Sequence, residues 1–301
     1  MPARGACERT MEIVYHIGAN CTDDDRLLKT LLKNTDAFSK QGIAVPGPSR
    51  YRAVIRETIQ ELDGGTPASD TRNVLLDTIL DDVQADRLVM SNWGFICVPA
   101  RIFEGGQFYH LAEGKVTGLR RLFPDDAVEL HMGLRNPATF IPAVHAKQGK
   151  LDFASFMNGV DPLKLRWSDL IARIRTAVPD VPLTVWCNED TPLIWSQIIR
   201  ELSGVDPMTR IVGGFDLLQS LLSDEGMTRF KAYLTSHPPQ TEMQKRRIIA
   251  AFLEKFGKSD AIEQEIDLPG WTQEMIEEMT AAYDADVRLI GRMEGVTLLT
   301  P

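Results

Sequence analysis

The stretch "VYHIGANCTDDDRLLKTLLKN", residues 14–34, decides how this chain is read. A short apolar strand runs into Gly18, and a helical pattern begins within a few residues. Such a layout suits phosphate, because the first amides of a helix direct their hydrogens at an incoming anion. Yet the turn carries Asp23, Asp24 and Asp25 and no lysine. A turn shaped for an anion is filled with anions. One reading has Thr22 capping the helix and the aspartates in its first turn, where negative charge complements the dipole. The other has a hard cation such as Mg²⁺ bridging the aspartates to an anionic ligand. The capping reading is the expectation here, with no metal.

Working outward, three more runs read as strands that end in turn residues: "RLVMSN" from Arg87, "VELHMGLRNP" from Val128 and "PLTVWCNED" from Pro182. Helical patterns lie between them. "SDTRNVLLDTILDDV" opens on the N-cap types Ser69 and Asp70, and "RWSDLIARIRTAV" repeats Trp167, Leu170, Ile171 and Ile174 on one face. "TPLIWSQIIRELSG" has Thr191 as its cap, Pro192 in the first turn and Gly204 as its stop. "VPGPSRYR" and "DGGTPAS" read as loops. Strands alternating with helices predict an α/β fold, a small parallel sheet flanked by helices. Residues 205–301 read as mainly helical, with "GVTLL" a last short strand or an extended tail. The expected organisation is one domain over residues 11–301, preceded by a poorly ordered 1–10.

The composition narrows the class. The chain has 301 residues, of which 44% are apolar and 25% charged, values ordinary for a globular protein. With 33 basic and 42 acidic residues its net charge is -9, which argues against a nucleic-acid surface. Cys7, Cys21, Cys97 and Cys187 are scattered without zinc-ligand spacing and predict a reducing, cytoplasmic location. No apolar run approaches the roughly 18 residues of a membrane span.

In open parallel sheets, ligands sit at the carboxyl ends of strands. Those ends offer His16 to Thr22, Ser91 to Trp93, Arg135 to Pro137 and Asn188 to Asp190. In this order the segments resemble the bacterial sulfotransferases, P-loop-like α/β proteins that use phosphoadenosine phosphosulfate. The opening "YHIGANCTDDDRLLKTLLKN" with "GIAVPG" is similar to the family's first strand, phosphosulfate loop, helix and turn. "LVMSN" is similar to its strand ending in Ser, "LRNPATF" to the segment holding the 3′-phosphate, and "VPLTVWCNED" to its "Y-E-D" strand. The tail "PGWTQEMIEEMTAAYDADVRLI" also has the family's look.

The resemblance implies a three-layer sandwich and donor binding by Gly18, Asn20, Cys21, Thr22, Arg135 and Asn136. His16 or Glu189 would serve as base and Arg26 would stabilise charge, for transfer of a sulfuryl group to a hydroxyl or amine acceptor. Three departures weigh against transfer. The loop lysine falls on Cys21, the serine expected eight residues after Arg135 falls on Ala143, and a carboxylate position falls near Trp93. A carboxylate ~6 Å from a phosphate charge costs about 3 kcal/mol at an effective dielectric near 20. That is roughly a hundredfold in affinity. The alternative is a non-catalytic relative acting as a binding or assembly factor.

Other residues carry two readings each. Arg135 contacts an anion or pairs with Glu189 or Asp190. Cys21 is a nucleophile of C-x4-R type or a small packed thiol. Arg50 and Arg52 reach the pocket or are solvated. Trp186 and Trp195 read as core. Neither acceptor nor oligomeric state is carried by a motif.

Overall fold

The computed structural model describes residues 10–259, 268 and 270–301, so the expectation for the N-terminus lies outside the described residues except Thr10. Six strands form one all-parallel sheet. They are β1 (Glu12–His16), β2 (Ile43–Ala44), β3 (Arg87–Ser91), β4 (Ala127–Leu134), β5 (Leu183–Cys187) and β6 (Val296–Leu299), in the order β2-β3-β1-β4-β5-β6. Central strands of such sheets are covered on both faces, so their sequences are almost continuously apolar. Side chains alternate across the sheet. Ile13 and Tyr15 enter one core with Met90 and Leu130, while Val14 enters the other with Val89 and Trp186.

Helices complete the three-layer sandwich. On the Val14 face lie α1 (Arg26–Leu32), α2 (Thr35–Ser39) and α9 (Thr191–Ser203). Against α9 pack α10 (Asp216–Leu221) and α12 (Glu242–Phe256), and α11 (Asp224–Ser236) joins them in a small core around Phe230. The other face carries α3 (Pro48–Leu62), α4 (Thr71–Leu80), α5 (Ala112–Leu122), α6 (Pro137–Gln148), α7 (Phe153–Met157), α8 (Trp167–Ala177) and α13 (Gln273–Ile290). The α8 stripe of Trp167, Leu170, Ile171 and Ile174 is fully buried, each side chain worth about 1.5–3 kcal/mol. Gly204 ends α9 with φ 64°, a left-handed stop that glycine adopts without strain.

Two local expectations change. Part of "VPGPSRYR" is helix, not loop, because Pro48 takes the first-turn position that a fixed φ favours. That puts Arg50 and Arg52 on α3. "GIAVPG" contributes the edge strand β2. Of the two readings of "GVTLL", the short strand holds: it forms β6, which pairs with β5. Among the described residues no helix is long and apolar enough to cross a membrane.

Candidate functional site

The chain leaves β1 for the α1 face, whereas it leaves the neighbouring β4 for the α6 face. Diverging connections from adjacent strands open a crevice at their carboxyl ends, the usual ligand position in such sheets. The loop 17–26 and Arg135 flank that crevice.

The loop is folded down onto the sheet. Ile17 N donates to His131 O at 2.9 Å, Ala19 N to Gly133 O at 3.0 Å, and Gly133 N to Gly18 O at 2.7 Å. Gly18 has φ 118°, and a Cβ there would lie 3.2 Å from Trp93 O, so glycine is required for fit. Asn20 is wholly buried. Its amide donates to the Tyr109 hydroxyl at 3.1 Å, that hydroxyl donates to Asn20 Oδ1 at 2.5 Å, and Asn20 Nδ2 donates to Cys97 O at 3.2 Å. Thr22 Oγ1 donates to Ala19 O at 2.8 Å.

Thr22 is therefore not the helix cap. Cys21, Asp24 and Asp25 have φ of 56°, 49° and 61°, left-handed values that a right-handed helix excludes, so α1 starts only at Arg26. The N-cap position falls on Asp25, which makes no side-chain cap bond, and it is the Asp23 carboxylate that accepts from Leu27 N at 3.1 Å. Burial, aided by Asp25 and Asp24, pushes its carboxyl up to about 6. The other two aspartates leave the turn in different directions. Arg52 donates to Asp25 Oδ1 at 2.7 Å and to Ser91 O at 3.0 Å. Lys147 Nζ lies 3.5 Å from Asp24 Oδ1 on the surface. Three carboxylates that diverge make no metal cage, and no cluster of candidate ligands occurs among the described residues.

Arg135, at the end of β4, is only 6% exposed. It donates to Cys21 O at 2.5 Å and to Thr139 Oγ1 at 3.1 Å, so it holds the loop from the β4 side as Arg52 holds it from the β3 side. The ion pair expected between Arg135 and Glu189 or Asp190 is absent among the described residues. Glu189 instead accepts from Asn136 N at 2.8 Å and from the Tyr283 hydroxyl at 3.1 Å. Asn136 caps α6 through Ala138 N at 3.0 Å and donates to Thr280 Oγ1 at 2.9 Å. These contacts tie the ends of β4 and β5 to α13.

His16, Cys21 and Arg26 stand in three different settings. His16 is buried, stacked on Trp186, with Nδ1 2.8 Å from Ser91 Oγ. Burial and the neighbouring His131 push its pKa down to about 3, so it is neutral near pH 7 and enclosed. Burial and Asp24 push the Cys21 thiol up to about 11, which leaves it protonated and a poor nucleophile. Arg26 borders a surface groove with Lys29, Lys33 and Leu217, on the α10 side of α1. Trp186 and Trp195 are core, as read.

Three partners escaped the sequence reading: Arg52 for Asp25, Lys147 for Asp24 and Tyr109 for Asn20. All lie far away along the chain, and no local spacing signals them. Comparison with protein-family models, with curated proteins and with solved structures finds no match.

Proposed function

We propose that this chain is a non-catalytic relative of the sulfotransferase-like α/β proteins, acting as a binding or assembly factor, in which the donor loop has become a structural latch. The observation that carries the reading is the use of both arginines. Arg135 holds Cys21 O and Arg52 holds Asp25, so the cations that would grip a donor phosphate grip the loop itself. Asp25 stands in for the missing anion. This answers the puzzle of the acidic turn: its charges satisfy the site from within.

Three further features support it. The family lysine position holds a protonated, partly buried cysteine. Asn20 and Gly18, expected at the donor, are buried in contacts with Tyr109, Cys97 and Gly133. The candidate bases His16 and Glu189 are enclosed or bonded to backbone and tyrosine.

Calorimetric titration with adenosine 3′,5′-bisphosphate, with and without Mg²⁺, tests the reading. The expected result is no saturable heat at millimolar ligand for the wild type. Saturable binding that Arg135→Ala abolishes would restore the alternative, a divergent sulfotransferase using phosphoadenosine phosphosulfate.

A further inference from the structure

The amino-terminal half of the sheet carries a different arrangement on its α9 face. Arg87 opens β3, Glu129 lies early and His131 midway in β4, and Thr184 lies early in β5. With α9 and α12 they border a cavity of about 860 Å³, within the range of small-molecule sites. Its wall is polar where a sandwich interior is normally apolar. Arg87 is 9% exposed and His131 2%.

Arg87 is fixed. It donates to Glu12 Oε2 at 2.6 Å and to Glu129 Oε2 at 2.8 Å, and its Nε and Nη2 meet the carbonyls of Leu202 and Glu201 at 3.2 Å. Those carbonyls end α9, where a cation is favoured. His131 Nε2 lies 3.4 Å from Glu129 Oε2. Burial alone would raise the Glu129 carboxyl, but the bonds from His131 and Arg87 outweigh it and hold it at about 2.

The partners of the charged groups then point to the guest. Three arginines (Arg87, Arg200, Arg246) and three glutamates (Glu129, Glu201, Glu242) border the cavity. Arg87 is shared by Glu129 and Glu12, and Glu242 pairs with Lys245 at 3.0 Å. Arg200 donates to the backbone oxygens of Asp206 and Thr209. Arg246 donates to the neutral Gln197 Oε1 at 2.7 Å, and its Nε has no partner among the described residues. Neither arginine has a carboxylate within ion-pair distance among the described residues. Four acids (Glu12, Glu129, Glu201, Glu242) thus offset four bases (Arg87, Arg200, Arg246, Lys245) around the wall, and what remains is that Arg200 and Arg246 are its two cations without an ionic partner. One carboxylate suits these two guanidiniums, whereas a second negative charge would meet Glu129 and Glu201 on the same wall.

We propose that this cavity binds a small polar monocarboxylate of the hydroxy-acid type, its carboxylate held by Arg246 and Arg200 and its hydroxyls facing Thr184 and Gln197. The proposal is independent of the latch reading, since Arg52, Asp25 and Arg135 lie at the other end of the strands.

Titration of the full chain in carboxylate-free buffer tests it with three probes of matched polyol shape: gluconate with one charge, neutral sorbitol, and glucose 6-phosphate with two. Saturable gluconate binding is expected, with sorbitol inert and glucose 6-phosphate weaker. Arg246→Gln should weaken gluconate roughly tenfold, since a charge-assisted bond is lost. Glu201→Gln, on the exposed end of α9, should tighten it several-fold, an opposite change that misfolding cannot imitate. No saturable gluconate binding, sorbitol binding as well as gluconate, glucose 6-phosphate binding more tightly, or a gluconate affinity indifferent to both substitutions would overturn the proposal.

Discussion

At the carboxyl end of the sheet Arg52 and Arg135 close on the loop after β1, through the Asp25 carboxylate and the Cys21 carbonyl. At the amino end Arg200 and Arg246 meet only neutral oxygens beside a cavity. Both ends carry arginines and acids, so composition does not distinguish them. What differs is where the guanidiniums are spent: Arg52 and Arg135 hold the loop itself, through Asp25 and the Cys21 carbonyl, whereas Arg200 and Arg246 border a cavity. A cation enclosed by its own loop offers little to a ligand, whereas one without an ionic partner beside a cavity keeps its field. The end that the fold class points to is closed, and the opposite end is open.

Acid titration bears on the closed end most strongly. Below pH 6.5 the unfolded chain takes up a proton that folded His16 refuses down to about pH 3. Stability therefore falls on acidification, by roughly 5 kcal/mol over that window at about 1.4 kcal/mol per pH unit. Asp23 works in the opposite sense. Between its ordinary 3.8 and its folded value of about 6 the folded chain holds a proton that the unfolded chain releases, so stability falls as pH rises. The two slopes oppose each other between pH 4 and 6. Asp23→Asn, which keeps an acceptor for Leu27 N, should steepen the acid loss and raise stability at pH 8 by about 2 kcal/mol. Urea denaturation across pH checks both signs, and an unchanged profile in the variant would remove Asp23 from the account.

At the open end, Arg87→Met should cost about 3–5 kcal/mol, because Glu12, Glu129 and the last α9 carbonyls lose a buried partner together. A loss under about 1 kcal/mol would mean that the cavity wall is not held by this network. The latch predicts smaller and unequal effects. Arg135→Gln should cost about 2 kcal/mol as a buried charged donor, while Arg52→Gln, a part-exposed ion pair, should cost under about 1 kcal/mol. Equal costs would make the two arms of the latch indistinguishable.

The fold was legible because its signals are local. Apolar runs ending at Ser91, Leu134 and Cys187 mark β3, β4 and β5, and Trp167 with its i+3, i+4 and i+7 partners marks α8. The two-residue β2 was too short to announce itself, and the start of α3 hid behind Pro48. At the crevice the sequence brought the right segments together, since Arg135 does reach the loop. It missed what they do there. Whether an arginine meets a ligand or the carbonyl of Cys21 depends on backbone geometry across 114 residues. The amino-end cavity did leave a trace, since Glu129 and His131 place two polar side chains on one face of an otherwise apolar β4. Strand-end reasoning looks only at the other end of that strand.

Hydrogen–deuterium exchange of the full chain, with saturating adenosine 3′,5′-bisphosphate and separately with gluconate, compares the two ends in one measurement. The account predicts that the bisphosphate leaves exchange over residues 17–27 unchanged, whereas gluconate slows it around residues 196–206 and 242–250. Slowing over residues 17–27 by the bisphosphate, with no change at the amino end in gluconate, would contradict it.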